Sequence, residues 1–295
     1  MNLFNIIEEI EKVDPEIADR MNPRRSAIKN ITSFGSKVAA AALPFALGTM
    51  FKKAYAQTGG TAADVANVLN FALTLEYLES SFYNIGLDKG GLIPTADRNN
   101  YISKISRDED AHVLFLKSVI KDSLKQQPVD RASLQFDFTG GNGSNDGPFA
   151  TVFSDYATFL KVATAFEDTG VRAYKGQAPA LLGNQVVLTA ALSIHAVEAR
   201  HAAALRHLLH TKFSAALKPW IESTATAGND TGISQVNGNY DKEQNVTHLG
   251  VDVTTLPETG NSADVRSATA AFDEPLTRTE VEDLLIGSFI VSNAD

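Results

Sequence analysis

The chain contains no cysteine at all. That excludes disulfide bridges, thiolate metal ligands, iron–sulfur clusters, a cysteine nucleophile and a bacterial lipoprotein anchor. Basic residues are in the minority, 26 Lys and Arg against 35 Asp and Glu, for a formal net charge of −9. Such a chain lacks the basic face that nucleic acid requires, so no nucleic-acid partner is expected. Long apolar runs are missing too. The stretch from Val38 to Phe51 is well short of the roughly 20 residues a helix needs to cross a bilayer. What remains is an ordinary globular composition, 44% hydrophobic and 21% charged over 295 residues. That length suits one sizeable domain with appendages, or two small domains. Without thiols, any metal must be held by carboxylate and imidazole, which suits iron or manganese better than structural zinc.

One pattern occurs twice. Glu76 and Tyr83 are followed by Glu109 and His112; Glu167 and Tyr174 are followed by Glu198 and His201. Each half is Glu-x6-Tyr and then, about thirty residues on, Glu-x2-His. With 15 Glu and 6 His in the chain, random placement gives only about 0.3 Glu-x2-His pairs, so two in matching frames read as an internal duplication. Glu and His three apart share one helix face and can reach one metal or two adjacent metals. Four carboxylates balance two divalent ions. Buried without metal they would be costly and would take up protons instead. The expected ligands are therefore Glu76, Glu109, His112, Glu167, Glu198 and His201, holding two divalent ions, Fe or Mn.

Four further residues belong with this set. Tyr83 and Tyr174 lie two turns after the glutamates of their helices; they are either core tyrosines with satisfied hydroxyls, or donors or redox groups beside the metals. Glu79 is an extra carboxylate on the Glu76 face, serving metal access or nothing. Asp108, just before Glu109, is placed to orient His201 from across the bundle. The matching residue of the second half is Val197, so that half lacks the device. His195, His207, His210 and His248 fall outside the repeat and read as ordinary, partly exposed histidines.

Helical periodicity predicts four long helices, over about 61–87, 95–125, 154–174 and 184–213, with Gly176 closing the third. The first two and the last two are joined by short links and form antiparallel hairpins. The link 126–153 is long and Gly/Asn-rich, and can run the length of the bundle. The fold class is thus all-α, a four-helix bundle with one long crossover, which is the ferritin-like connectivity. Residues 215–295 read as an irregular C-terminal extension ending in a short docked helix, for which Thr279-x-x-Glu282 fits a capping box. The resulting boundaries are 1–56, 57–214 and 215–295.

At the N-terminus, Arg24-Arg25-Ser26-Ala27-Ile28-Lys29 precedes the apolar run, and Ala54-Tyr55-Ala56 follows it. The order of basic region, apolar region and small-residue site is that of an export signal. It resembles a twin-arginine signal, with Pro23 and Ala27 departing from the usual Ser/Thr and Phe. The resemblance implies the twin-arginine export machinery as a partner and a periplasmic or cell-envelope location.

Leu75-Glu76-Tyr77-Leu78-Glu79-Ser80-Ser81-Phe82-Tyr83, Asp108-Glu109-Asp110-Ala111-His112 and Glu198-Ala199-Arg200-His201 resemble the ferritin-like di-metal carboxylate superfamily. Phe272-Asp273-Glu274-Pro275-Leu276-Thr277 is similar to its exported branch, which includes desiccation-related proteins. The resemblance implies that Glu109 and Glu198 bridge the metals, that Glu76 and Glu167 are terminal ligands, and that each histidine binds one ion. It implies redox chemistry with small oxidants such as O2 or peroxide, or with Fe(II). A non-catalytic protective or structural envelope protein is the alternative, and an iron-storage shell is disfavoured by the long tail. A homo-oligomer is compatible with either.

Overall fold

Helix α1 (Ala62–Asp88) begins where the sequence places a cap. The Thr61 hydroxyl accepts from the Asp64 N–H, and the Asp64 carboxylate accepts from the Thr61 N–H, a reciprocal box that satisfies two otherwise orphaned donors. These features come from a computed structural model, which describes residues 61–213, 217–222, 237–248, 250–255 and 265–291. The export-signal expectation for residues 1–56 lies outside them. None of the described helices is long and apolar enough to cross a membrane.

The second predicted helix is present but not uniform. A short α2 (Thr95–Asp97) passes through a π-helical turn, Arg98–Ile102, into α3 (Ser103–Ser118) and then a second π-turn, Val119–Ser123. Each wide turn rotates the helix face slightly, and Ile102, Ile105, Glu109, His112, Leu116 and Val119 all stay buried. Helices α4 (Tyr156–Gln177) and α5 (Gln185–Lys212) complete the bundle, capped by Asp155 and Asn184.

Side-chain pairs give the directions. Asn84 meets Ser106 while Glu76 meets His112, so α1 and α3 are antiparallel. Tyr83 meets Glu167 while Glu76 meets Tyr174, so α1 and α4 are antiparallel. Asp168 meets Arg206 while Val171 meets His195, so α4 and α5 are antiparallel. It follows that α3 and α4 are parallel, and the connection between them crosses the bundle. The fold is a ferritin-like four-helix bundle with one long crossover and an irregular extension carrying short helices and a small hairpin.

The crossover is shaped by one carboxylate. Asp137 accepts from the Thr139 N–H (3.0 Å) and hydroxyl (2.6 Å), and from the backbone N–H groups of Gly143 (2.9 Å) and Asn145 (3.0 Å). Burial pushes this carboxyl up, but the Thr139 hydroxyl and the three backbone donors outweigh it and hold the pKa below the ordinary 3.8. The wrapped loop then zips to the C-terminal segment: Asp137 N–H to Phe289 O (2.9 Å), Asn142 N–H to Ser288 O (3.0 Å) and Val291 N–H to Gln135 O (2.9 Å). Asp137→Ala orphans several donors at once and is expected to cost about 1–3 kcal/mol at neutral pH. A group with a depressed folded pKa stabilises above its unfolded pKa and loses that contribution as pH falls through the folded value. The deficit of the variant in urea unfolding should therefore narrow below about pH 4. A pH-independent deficit, or none, contradicts this role.

The core is aromatic at one end. Phe82 stacks on Phe159 with ring centroids 4.7 Å apart and is flanked by Phe138, Phe153 and Phe166. Phe289 from the C-terminal segment lies edge-on to Phe166 at 4.9 Å. The rest of the extension comprises a two-residue hairpin of β1 (Thr247–His248) and β2 (Val251–Asp252), then α6 (Val265–Ala270) and α7 (Arg278–Leu285).

Two local expectations are corrected. Gly176 does not close the third helix; it lies inside α4, where a Cβ would overlap the Leu276 carbonyl. Its missing side chain serves the close approach of the extension, not a helix stop. The capping box of α7 is Thr277 with Glu280, not Thr279 with Glu282. Both frames fit the pattern. The earlier one buries Val281 and Leu285, and frees Glu282 to pair with Arg278 at 2.7 Å.

Candidate metal centre

The four long helices each send a glutamate to the bundle axis. Glu76 comes from α1, Glu109 from α3, Glu167 from α4 and Glu198 from α5, all at 0% exposure. His112 and His201 follow one turn after Glu109 and Glu198, at 8% and 6%. The helical repeat makes this geometry almost automatic, since residues three apart share a face.

Two overlapping groups result: Glu76, Glu109, His112 and Glu198, and Glu109, Glu167, Glu198 and His201. In each, one atom per residue lies within 4.8 Å of all the others. Both imidazoles present Nδ1 inward. His112 Nδ1 lies 3.1 Å from Glu76 Oε2, 3.0 Å from Glu109 Oε2 and 3.1 Å from Glu198 Oε1. His201 Nδ1 lies 2.8 Å from Glu109 Oε1, 3.3 Å from Glu167 Oε2 and 3.6 Å from Glu198 Oε2. Glu109 and Glu198 thus turn one oxygen to each group. Glu76 and Glu167 serve one group each.

The remaining oxygens are tied across the bundle. The Tyr83 hydroxyl donates to Glu167 Oε1 at 2.5 Å, and the Tyr174 hydroxyl donates to Glu76 Oε1. Each tyrosine therefore fixes the glutamate of the opposite half, not that of its own helix. Asp108 Oδ2 lies 3.2 Å from His201 Nε2. Glu79 is buried beside the site but belongs to neither group; Gly170 leaves room for it, since a Cβ there would sit 3.3 Å from Glu79 Oε1.

Do these atoms fit a metal pair? Glu109 Oε1, Glu167 Oε2, both oxygens of Glu198 and His201 Nδ1 are fully buried without a hydrogen bond. The 2.8 Å approach of His201 Nδ1 to Glu109 Oε1 brings charge together without hydrogen-bond alignment. Buried polar atoms are rarely left unpaired, and five that converge on one space make a donor set that could hold a cation. The protonation balance agrees. Burial, with Glu198 and Glu109 adding to it, pushes Glu76 up to about 8 against the pull of His112. Burial also pushes Glu167 and Glu79 well up. For His112 burial opposes the charge, but Glu76, Glu109 and Glu198 prevail and raise it well above its usual value. Protons thus share the space that divalent cations would neutralise.

The other histidines lie elsewhere. His195 Nδ1 is 2.9 Å from Val171 O, His248 stacks on Phe272 at 3.9 Å, and His207 and His210 are exposed. Sequence reasoning missed the polar rim between α1 and α3, where Asp110 accepts from Ser80 at 2.6 Å and Asn84 at 3.0 Å. It also missed two buried arginines. Arg206 pairs with Asp168, which accepts from Tyr240 at 2.8 Å. Arg172 donates to the carbonyls of Asn239, Asp241 and Glu274. Only their positions among apolar residues on α4 and α5 could have signalled them.

The profile of the ferritin-like domain family matches residues 64–211, half of the chain and all four bundle helices. Neither the curated proteins nor the solved structures contain a match.

Proposed function

Because this chain belongs to the ferritin-like domain family, we propose that it binds two ions of iron or manganese and performs redox chemistry on O2, peroxide or Fe(II). The observation that carries the reading is the division of Glu109 and Glu198, one oxygen to each of two buried Glu/His groups. When bound, such a pair of ions supplies adjacent Lewis-acidic, redox-active positions for a small oxidant.

The protein's own residues supply the rest. Glu76, Glu109 and Glu198 with His112 would hold one ion, and Glu109, Glu167 and Glu198 with His201 the other. Four carboxylates cancel two divalent charges, which removes the cost of burying them. Tyr83 and Tyr174 keep Glu167 and Glu76 in fixed orientations and hold a hydroxyl proton at Oε1 of each. The aromatic core excludes water from one end. The imidazole side is the nearest to solvent, since His112 and His201, though buried, alone among the six keep any exposure, 8% and 6%. So little exposure favours ions and small oxidants over large substrates.

The Arg24-Arg25 and Ala54-Tyr55-Ala56 pattern supports export to the periplasm or cell envelope by the twin-arginine route, which carries folded, metal-loaded proteins. Elemental analysis of protein purified from its export compartment is expected to give two ions of Fe or Mn per chain, and the loaded protein to consume O2 or peroxide. Two ions without turnover would support the non-catalytic envelope reading. No metal after reconstitution would overturn both.

A further inference from the structure

The two halves of the centre match in their ligands but not in what lies behind them. Behind His201 stands Asp108, with Oδ2 3.2 Å from Nε2. A carboxylate there makes Nε2 the protonated nitrogen and leaves the Nδ1 lone pair facing Glu109, Glu167 and Glu198. It also raises the basicity of that ring. Behind His112 the equivalent position, the residue before Glu198, is Val197. Among the described residues the hydrogen bonds and ion pairs of His112 all run through Nδ1, and Nε2 has none. Nothing on the Nε2 side of that ring fixes which nitrogen carries the proton of the neutral imidazole, and one of the two tautomers blocks the inward Nδ1.

Resting on the di-metal reading above, we infer that the two metal positions are unequal: the His201 position fills first and holds its ion more tightly, with Asp108 as the positioning residue. The His112 position fills second and exchanges more readily. Loss of a carboxylate behind a ligating histidine typically costs 10–100-fold in metal affinity. The Asp108 side chain is 55% exposed, so solvent screens the pair and the lower end, about tenfold, is expected. The exposure also means that Asp108 can be replaced without disturbing the core.

Mn(II) is a suitable probe, because an isolated ion and a coupled pair give different electron paramagnetic resonance spectra. Substoichiometric Mn(II) added to the full chain should give the isolated-ion signal first, with the coupled spectrum growing only toward two equivalents. Calorimetric titration should resolve two steps. Asp108→Val should weaken the tighter step about tenfold, leave the weaker one unchanged and leave the metal-free melting temperature in place. Val197→Asp, the reciprocal change, should tighten the weaker step. A merely structural role for Asp108 would shift the melting temperature and neither step. Two equal steps in the wild type, a coupled spectrum from the first addition, or affinities unmoved by Asp108→Val would overturn the inequality while leaving the di-metal reading intact. No Mn(II) binding by the wild type would overturn both.

Discussion

Glu198→Gln is expected to abolish binding of both ions, whereas Glu76→Gln is expected to remove only one. Glu198 is the more consequential because its two oxygens approach both inward imidazole nitrogens, at 3.1 Å and 3.6 Å. Glu76 approaches only His112, at 3.1 Å. An amide replaces one anionic oxygen with an NH2 that repels a cation, so one of the two shared bridges is lost. Metal analysis after reconstitution with Mn(II) should read two ions per chain for the wild type, one for Glu76→Gln and close to none for Glu198→Gln. Thermal unfolding gives an independent measure. An ion at about 100 times its Kd stabilises the fold by about 2.7 kcal/mol. That shift should be present in the wild type and absent in Glu198→Gln. The metal-free variant should be less stable than the metal-free wild type. Without metal, and against the upward push of burial, His112 and His201 hold Glu198 ionised, well below the usual carboxylate range, and the amide leaves them without that charge. A Glu198→Gln protein that still takes up two ions would show that the six residues are an ionic core and not a metal site.

Arg172→Met is expected to destabilise the protein by about 3–5 kcal/mol, the usual cost of removing one partner from a buried ion pair. Arg172 is fully buried on α4. Its guanidinium serves three backbone carbonyls of the extension and lies 3.1 Å from Glu243. Burial pushes Glu243 up to about 7 even with Arg172 pulling the other way, so without the arginine that carboxyl has no compensating charge. Arg172→Met with Glu243→Gln should recover part of the loss, since replacing both partners costs less than stranding one. Urea unfolding measures this, and metal content should stay the same in both variants because Arg172 belongs to neither metal-binding group. A loss under about 1 kcal/mol would show that the extension is held by its apolar contacts alone.

The bundle and its candidate ligands were legible because both are set by short-range periodicity. Three-residue spacing on a helix puts Glu109 with His112, and Glu198 with His201, on one face whatever the surroundings. A long Gly/Asn-rich link between the second and third helices left few ways to order four helices. Less was legible where the sequence offered two equivalent frames or a charged residue without context. Thr277 and Thr279 each satisfy a capping pattern, and only the docking of Val281 and Leu285 selects the first. Gly176 resembles a helix stop, but its lack of a side chain admits the Leu276 backbone, which lies a hundred residues away in sequence. Arg172 and Arg206 resemble solvated helix charges; the extension that buries them comes later in the chain.

By itself the sequence determined the helices, their order and the six side chains on their inner faces, because helix formation and face assignment depend on neighbours within one or two turns. Tertiary structure alone decided that Tyr83 serves Glu167 and Tyr174 serves Glu76, and that Glu109 and Glu198 divide their oxygens between two groups. It also decided that one histidine has a carboxylate behind it and the other does not. These choices depend on the lateral offset of packed helices, and that offset is fixed by the fit of apolar side chains across the interface, which no local spacing encodes.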